Sequence, residues 1–178
     1  LEQVVISDNN GTLTYGLGNA GNARFWGVKT DINLPLDFIL SDSLLEFSHS
    51  YQGSDFYDSI INENRDINNY TPNTLALNFR QDFIEEKFAW GLDYIASSSK
   101  TNYRVNEIQT LAQAERFGFY IESTQFLGMK TSLSLFNKSK QIRSRFFYQN
   151  NRNDLFNGSQ EALREKRPSI VLKVSGTF

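Results

Sequence analysis

Cysteine is missing from the 178 residues, so neither a disulfide nor a thiolate metal site can form. Histidine occurs once, as His49, which leaves the common zinc sites without a second imidazole. Only three prolines interrupt the chain, so few positions are barred from strand ladders. No apolar run reaches the roughly 18 residues of a transmembrane helix. Neither charge sign dominates: 18 Lys and Arg stand against 20 Asp and Glu, and no basic patch stands out for nucleic acid. Neither a P-loop nor a G-x-S-x-G elbow is present, and Gly16-Leu17-Gly18 lacks the strand-turn-helix context of a dinucleotide site. No catalytic residue, cofactor or bound metal is therefore expected.

What is abundant is the aromatic side chain, with 15 Phe, 8 Tyr and 2 Trp, a composition that suits strands and interfacial girdles. The mean hydropathy is mildly negative, as for an ordinary soluble domain. A sheet that alternates lipid-facing and lumen-facing residues averages to the same value. The clearest stretch is the last, Ser169 to Phe178. Ile170, Leu172, Val174, Gly176 and Phe178 fall on one face, opposite Ser169, Val171, Lys173, Ser175 and Thr177. That is an amphipathic strand ending on an aromatic.

Period-2 alternation recurs along the chain. A stub at 1–7 opens in mid-pattern, as though cut from something longer. Trp26, Val28, Thr30, Ile32 and Leu34 form one face of a strand that stops at Pro35. Further apolar rows follow: Leu45, Phe47, His49 and Tyr51; Leu75, Leu77, Phe79 and Phe83; Phe88, Trp90, Leu92 and Tyr94; Phe117, Phe119 and Ile121; and Leu133 with Leu135. After an irregular stretch at 137–141, Ile142, Ser144, Phe146 and Tyr148 oppose Arg143, Arg145 and Phe147. About eight strands are expected. Turns are read at Asp8–Gly11, Glu85-Glu86 and Leu127-Gly128, and long polar loops at 8–22, 53–72, 98–114 and 149–168, with Val105 to Ala114 alternatively a short helix or a continuation of the strand beyond the membrane. Connections then alternate long and short, as in outer-membrane barrels with short periplasmic turns.

With those pieces in place the chain resembles the C-terminal third of a TonB-dependent receptor, the plugged 22-stranded transporter of the Gram-negative outer membrane. Four segments carry the resemblance: Gly21 to Val28 leading into Asp31–Leu36; Trp90–Tyr94; Leu133–Ser139 with Arg143–Tyr148; and Ile170–Phe178. The break Phe136-Asn137-Lys138-Ser139 departs from the family's usual Asp. The resemblance implies an all-β, antiparallel up-and-down transmembrane barrel segment of about eight strands over 1–178, part of a larger barrel, with no plug domain present. It implies a non-enzymatic role in uptake of a scarce nutrient such as a ferric siderophore, cobalamin or glycan. The implied partners are the lipid bilayer, the barrel-assembly machinery, the remaining strands and plug of the parent, and TonB through the absent N-terminal part. Ile170, Leu172, Val174 and Phe178 match the family's assembly signal. Two rival readings are a self-contained eight-stranded barrel and a soluble β-sandwich. The sandwich requires a second apolar layer over Trp26, Phe47, Phe79, Trp90, Phe119 and Leu133.

The expected lipid-facing set is Trp26, Val28, Ile32, Phe47, Leu77, Phe79, Trp90, Leu92, Phe119 and Leu133. Candidate lumen or ligand contacts are Arg116, Glu122, Arg143 and Arg145. Asp55, Asp58, Glu63 and Asp66 are candidates for a surface Ca²⁺ site, although such a run is more often a solvated face.

Overall fold

A computed structural model describes residues 2–7, 13–125, 129–137 and 139–176. The expected turns at Asp8–Gly11 and Leu127-Gly128, together with Lys138 and the terminal Phe178, lie outside the described residues. Among the described residues there are fourteen strands and no helix, and every pairing is antiparallel.

Three sheets result. β1 (Glu2–Ser7) pairs with β2 (Leu13–Gly18). The largest sheet contains β3 (Ala23–Pro35), β4 (Ser43–Asp58), β6 (Asn73–Phe83), β7 (Phe88–Ile95), β10 (Arg116–Ser123), β11 (Lys130–Phe136) and β14 (Ser169–Ser175), with β5 (Glu63–Arg65) added to β4. Its order is β14-β11-β10-β7-β6-β4-β3. The third sheet, β13-β12-β9-β8, is made of β8 (Ser98–Tyr103), β9 (Glu107–Gln113), β12 (Ser139–Tyr148) and β13 (Phe156–Lys166).

The second and third sheets share one ladder interrupted at one level. Ile95 lies opposite Arg116, and three residues further on Ser98 lies opposite Gln113. Phe136 pairs with Ser169, and across a gap of equal length on both sides Ser139 pairs with Lys166. Hydrogen bonds persist inside the gap, where the Ala114 amide donates to the Lys140 carbonyl at 2.8 Å and the Asn137 amide to the Phe117 carbonyl at 3.0 Å. The bridge Tyr70↔Thr101 likewise keeps the register in which Ala76 meets Ile95. Each strand pair in this half is therefore one long ribbon that keeps its register through the gap, the one shift among the described pairs lying beyond it at Phe147/Tyr148.

This corrects the expected loops. The stretches 98–114 and 149–168 are largely strand, as β8, β9 and β13, and β2 and β5 fall inside 8–22 and 53–72. The connections that remain between described strands are 59–62, 66–72, 104–106 and 149–155 at one end, and 36–42 and 84–87 at the other. Loop length does not distinguish the two ends. The reason is physical: ladder hydrogen bonds are made by the backbone, so Ser98–Tyr103, polar on both faces, pairs as well as an amphipathic strand. Hydrophobic alternation is blind to such a segment.

Apolar residues do line up across the large sheet. Leu34, Leu45, Phe79, Leu92, Phe119, Leu135 and Ile170 are successive cross-strand partners from one edge to the other. The next row, away from the 36–42 and 84–87 turns, is Ile32, Phe47, Leu77, Tyr94 and Phe117. Aromatic contacts tie the rows together, with Trp90 5.2 Å from Phe79 and 6.3 Å from Phe119. No second layer covers them: Leu92 is 47% exposed, Trp26 54% and Ile170 73%. Buried apolar side chains among the described residues are only Phe56, Tyr70, Ala89 and Val105. Three of the four lie at the end remote from the large sheet's turns.

The apolar rows also slant. Ile170 and Leu34 share one row, yet Ile170 is the upper limit of the apolar face on β14, whereas Leu34 is the lower limit on β3. The centre of the apolar stretch moves from Leu172 on β14 to the level of Thr30 on β3, a climb of three rows over the seven strands.

Gly91 is required by close approach. A Cβ there would stand 2.4 Å from the Phe79 carbonyl oxygen and 2.4 Å from the Tyr120 ring. Gly91→Ala is expected to cost about 1–3 kcal/mol through overpacking, read as a lower urea midpoint; an unchanged midpoint would show that the β6–β7 backbone as well as Tyr120 gives way without cost.

Candidate functional site

The face opposite the apolar rows is polar and joined across strands. Asp31 accepts from Ser48 Oγ at 2.7 Å and lies 2.9 Å from Lys29 Nζ. Asn78 donates to Asp93 at 2.6 Å. Arg80 forks onto Asp82 at 2.8 and 2.9 Å and reaches Glu122 at 2.8 Å, and Lys130 adds a contact to Glu122 at 3.0 Å. Most of these pairs join residues two apart on one strand or opposite or diagonal on the next, while Arg80 reaches Glu122 across β7, where Gly91 and Ala89 leave room. Arg116 sits on this face with its guanidinium 5.4 Å from the Phe136 ring centre, and Gly118 next to it leaves room for that ring.

A second cluster lies beyond the large sheet, where β4, β5, the β8–β9 hairpin and the 149–155 connection meet. Asp58 is 2% exposed. It accepts from Arg65 Nε at 2.5 Å, from Arg152 Nη2, and from the Ile60 amide at 3.0 Å. Arg65 stacks between Phe56 and Tyr103, 4.7 and 4.4 Å from their ring centres, and its Nη2 donates to Glu2 at 3.0 Å. Asn68 clamps the same place, donating to Glu2 and to the Tyr103 carbonyl and accepting from the Tyr103 amide at 2.6 Å. Arg152 is anchored by donating Nε to the Arg104 carbonyl at 2.5 Å. Alongside, Glu107 accepts two bonds from Arg145, at 2.5 and 3.1 Å, and one from Arg104 at 3.1 Å.

Burial works against ionisation of Asp58, but the hydrogen bonds from Arg65 and Arg152 outweigh it and hold the carboxyl below its ordinary range. Arg145, ahead of opposing burial, does the same for Glu107. Burial raises the Tyr103 phenol. Both carboxylates are therefore ionised throughout the neutral range.

The expected contact residues are not gathered into one place. Arg116 and Glu122 stand on β10, in the large sheet, and Arg143 and Arg145 on β12, in the third. Glu122 is engaged by Arg80 and Lys130, and Arg145 by Glu107. Arg143 is exposed. The candidate Ca²⁺ carboxylates do not converge either. Asp58 is taken up by two arginines and Asp66 accepts from Ser54 Oγ at 2.8 Å; no group of three or more metal-ligating side chains exists among the described residues. His49 faces Asn73 Oδ1 at 2.9 Å. Sequence reasoning missed Arg65, Asn68, Tyr103 and Arg152, because Asp58 and Arg152 lie 94 positions apart. The available signal was three arginines, Arg65, Arg104 and Arg152, placed within stretches read as loops.

What these faces define is a class: an antiparallel sheet with one uncovered apolar face and one ionic face. No family model matches the chain, and neither any curated protein nor any solved structure does.

Because Asp58 and Glu107 titrate lower in the folded state, their stabilisation is complete above the unfolded values near 4 and is lost as pH falls through the folded ones. Unfolding midpoints are expected to be flat from about pH 8 to 5 and to fall below about pH 4. Asp58→Asn strands two buried guanidiniums and is expected to cost about 3–5 kcal/mol at pH 7; a variant as stable as the parent would remove the cluster from the fold's support.

Proposed function

We propose that the chain is a transmembrane segment of a Gram-negative outer-membrane transport barrel, with the apolar rows against lipid and the ionic face toward the lumen. The observation that carries this reading is the slant of the uncovered rows. Three rows of two residues amount to roughly 20 Å along the strands, and six strand spacings to roughly 29 Å, a slope of roughly 35°. Strands tilted by about 35–45° through a band of constant thickness require such a drift. A sandwich has no such requirement, and it would bury these rows under a second sheet.

The edges support a segment of something larger. β14 and β3 are the first and seventh strands of an alternating antiparallel path, so they run in the same direction. They cannot close on one another with antiparallel pairing, and in a closed barrel at least one further strand separates them. On this reading the parent is a receptor of the TonB-dependent type that takes up a scarce nutrient such as a ferric siderophore, cobalamin or glycan. The bilayer, the assembly machinery, the remaining strands and plug, and TonB are its partners. The polar ribbon extensions, with the Asp58–Arg65–Arg152 cluster holding their hairpins together, form the rigid rim on which recognition sits.

The test is gel filtration with and without micelles, with heat-modifiable mobility on a denaturing gel alongside. The chain is expected to be monodisperse only in detergent and to migrate anomalously unheated; a monodisperse, cooperatively melting protein in plain buffer sinks the proposal. A second test uses Leu92→Arg. At mid-membrane the charge is expected to cost about 2–4 kcal/mol, whereas on a water-exposed sheet it is close to neutral.

A further inference from the structure

The third sheet carries an uneven distribution of charge. Paired residues in an antiparallel ladder share a face, and every second residue returns to it. Following the unbroken register upward from Leu135 and Ile170 gives the rows Ser139–Lys166, Gln113–Gln141–Arg164 and Lys100–Leu111–Arg143–Ala162. The face that is apolar in the large sheet therefore continues as a basic one. Lys100, Arg143, Arg164 and Lys166 are all exposed and have no ion-pair partner among the described residues. Above them Arg145 is tied to Glu107. Glu161 and Glu165 of β13 alternate onto the opposite face, whereas Glu115, in register with Ser139, and Glu107 share the basic one, leaving Lys100, Arg143, Arg145, Arg164 and Lys166 in excess over two carboxylates there.

Resting on the membrane reading above, we propose that this band binds the phosphate groups of anionic lipid headgroups where the barrel leaves the hydrocarbon. Lys166 lies two rows above Ile170 and Arg143 four, which is roughly 13 and 27 Å along strands that are themselves tilted. Long cationic side chains reach back along apolar surface to the interface. Exposed cations in register with one another and continuous with the lipid-facing rows fit a fixed layer of phosphate better than a soluble anion. The same register puts Arg143 and Arg145 on the Leu133 and Leu135 side of the ladder, away from the lumen row where they were expected.

The experiment is partition of the full chain from micelles into vesicles of phosphatidylcholine alone, and of phosphatidylcholine with phosphatidylglycerol or phosphatidic acid, at low and high salt. The expected result is insertion into all three, with at least tenfold preference for the anionic vesicles, lost at high salt. The variant Lys100→Gln/Arg143→Gln/Arg164→Gln/Lys166→Gln is expected to insert into neutral vesicles like the parent and to lose the preference. A control, Arg116→Gln/Lys140→Gln, removes charge from the other face and is expected to keep it. Millimolar inorganic phosphate should not compete; if it abolishes the preference, the site takes a free anion and the lipid proposal fails. Equal partition of the parent into neutral and anionic vesicles overturns the band while leaving the membrane reading intact, and insertion into none of them overturns both. Should the fourfold variant not refold, the salt dependence of the parent decides alone.

Discussion

The constraint on which everything else depends is the unbroken register of the antiparallel ladder. Backbone amides and carbonyls must find partners, and from β7 to β14 they find them in one alignment that runs through the gap at 96–97, 114–115 and 137. Because side chains alternate with period 2, a slip of one residue would exchange the two faces. The register alone keeps Leu92, Phe119 and Leu135 on one side and Asp93, Tyr120 and Ser134 on the other.

Two consequences of unlike character follow from that alignment. The apolar face has no internal partner, so its stabilisation has to come from whatever lies against it; with about 25 cal/mol per Å² at stake, so large an uncovered surface is unfavourable in water. The ionic face is satisfied from within. Arg80, Asp82, Glu122 and Lys130 neutralise each other, and at the far end Asp58, Arg65 and Arg152 do the same under the rings of Phe56 and Tyr103. On the large sheet the arrangement is inverted relative to a soluble domain, with charged groups of one face paired to each other and apolar groups of the other facing out.

The ionic cluster gives the polar ends of the ribbons a rigidity their side chains alone would not. β8 and β9 carry few apolar side chains, and a two-stranded hairpin by itself is marginal in water, so β9 leans on its ladder with β12. Here the hairpin is pinned by Asn68 on Tyr103, by the Arg152 amide on the Val105 carbonyl at 2.8 Å, and by Arg145 on Glu107. Such a rim can present a binding surface without long loops.

Alternation was legible in the sequence because it is local: each residue's face depends only on its neighbours two positions away, so the apolar rows from Trp26 to Ile170 could be read before any coordinates. So could the short turn at Glu85-Glu86, where Lys87 adopts a positive φ of 49°. The polar strands β8 and β13 could not, and β9 only as one alternative for 105–114, since pairing through the backbone leaves no mark on side-chain hydropathy. Nor could the slant of the rows, the continuity of the basic band with the apolar face, or the meeting of Asp58 with Arg152. These depend on how strands distant in sequence are aligned, and only the tertiary structure sets that alignment, through hydrogen bonds that every residue but proline can make alike.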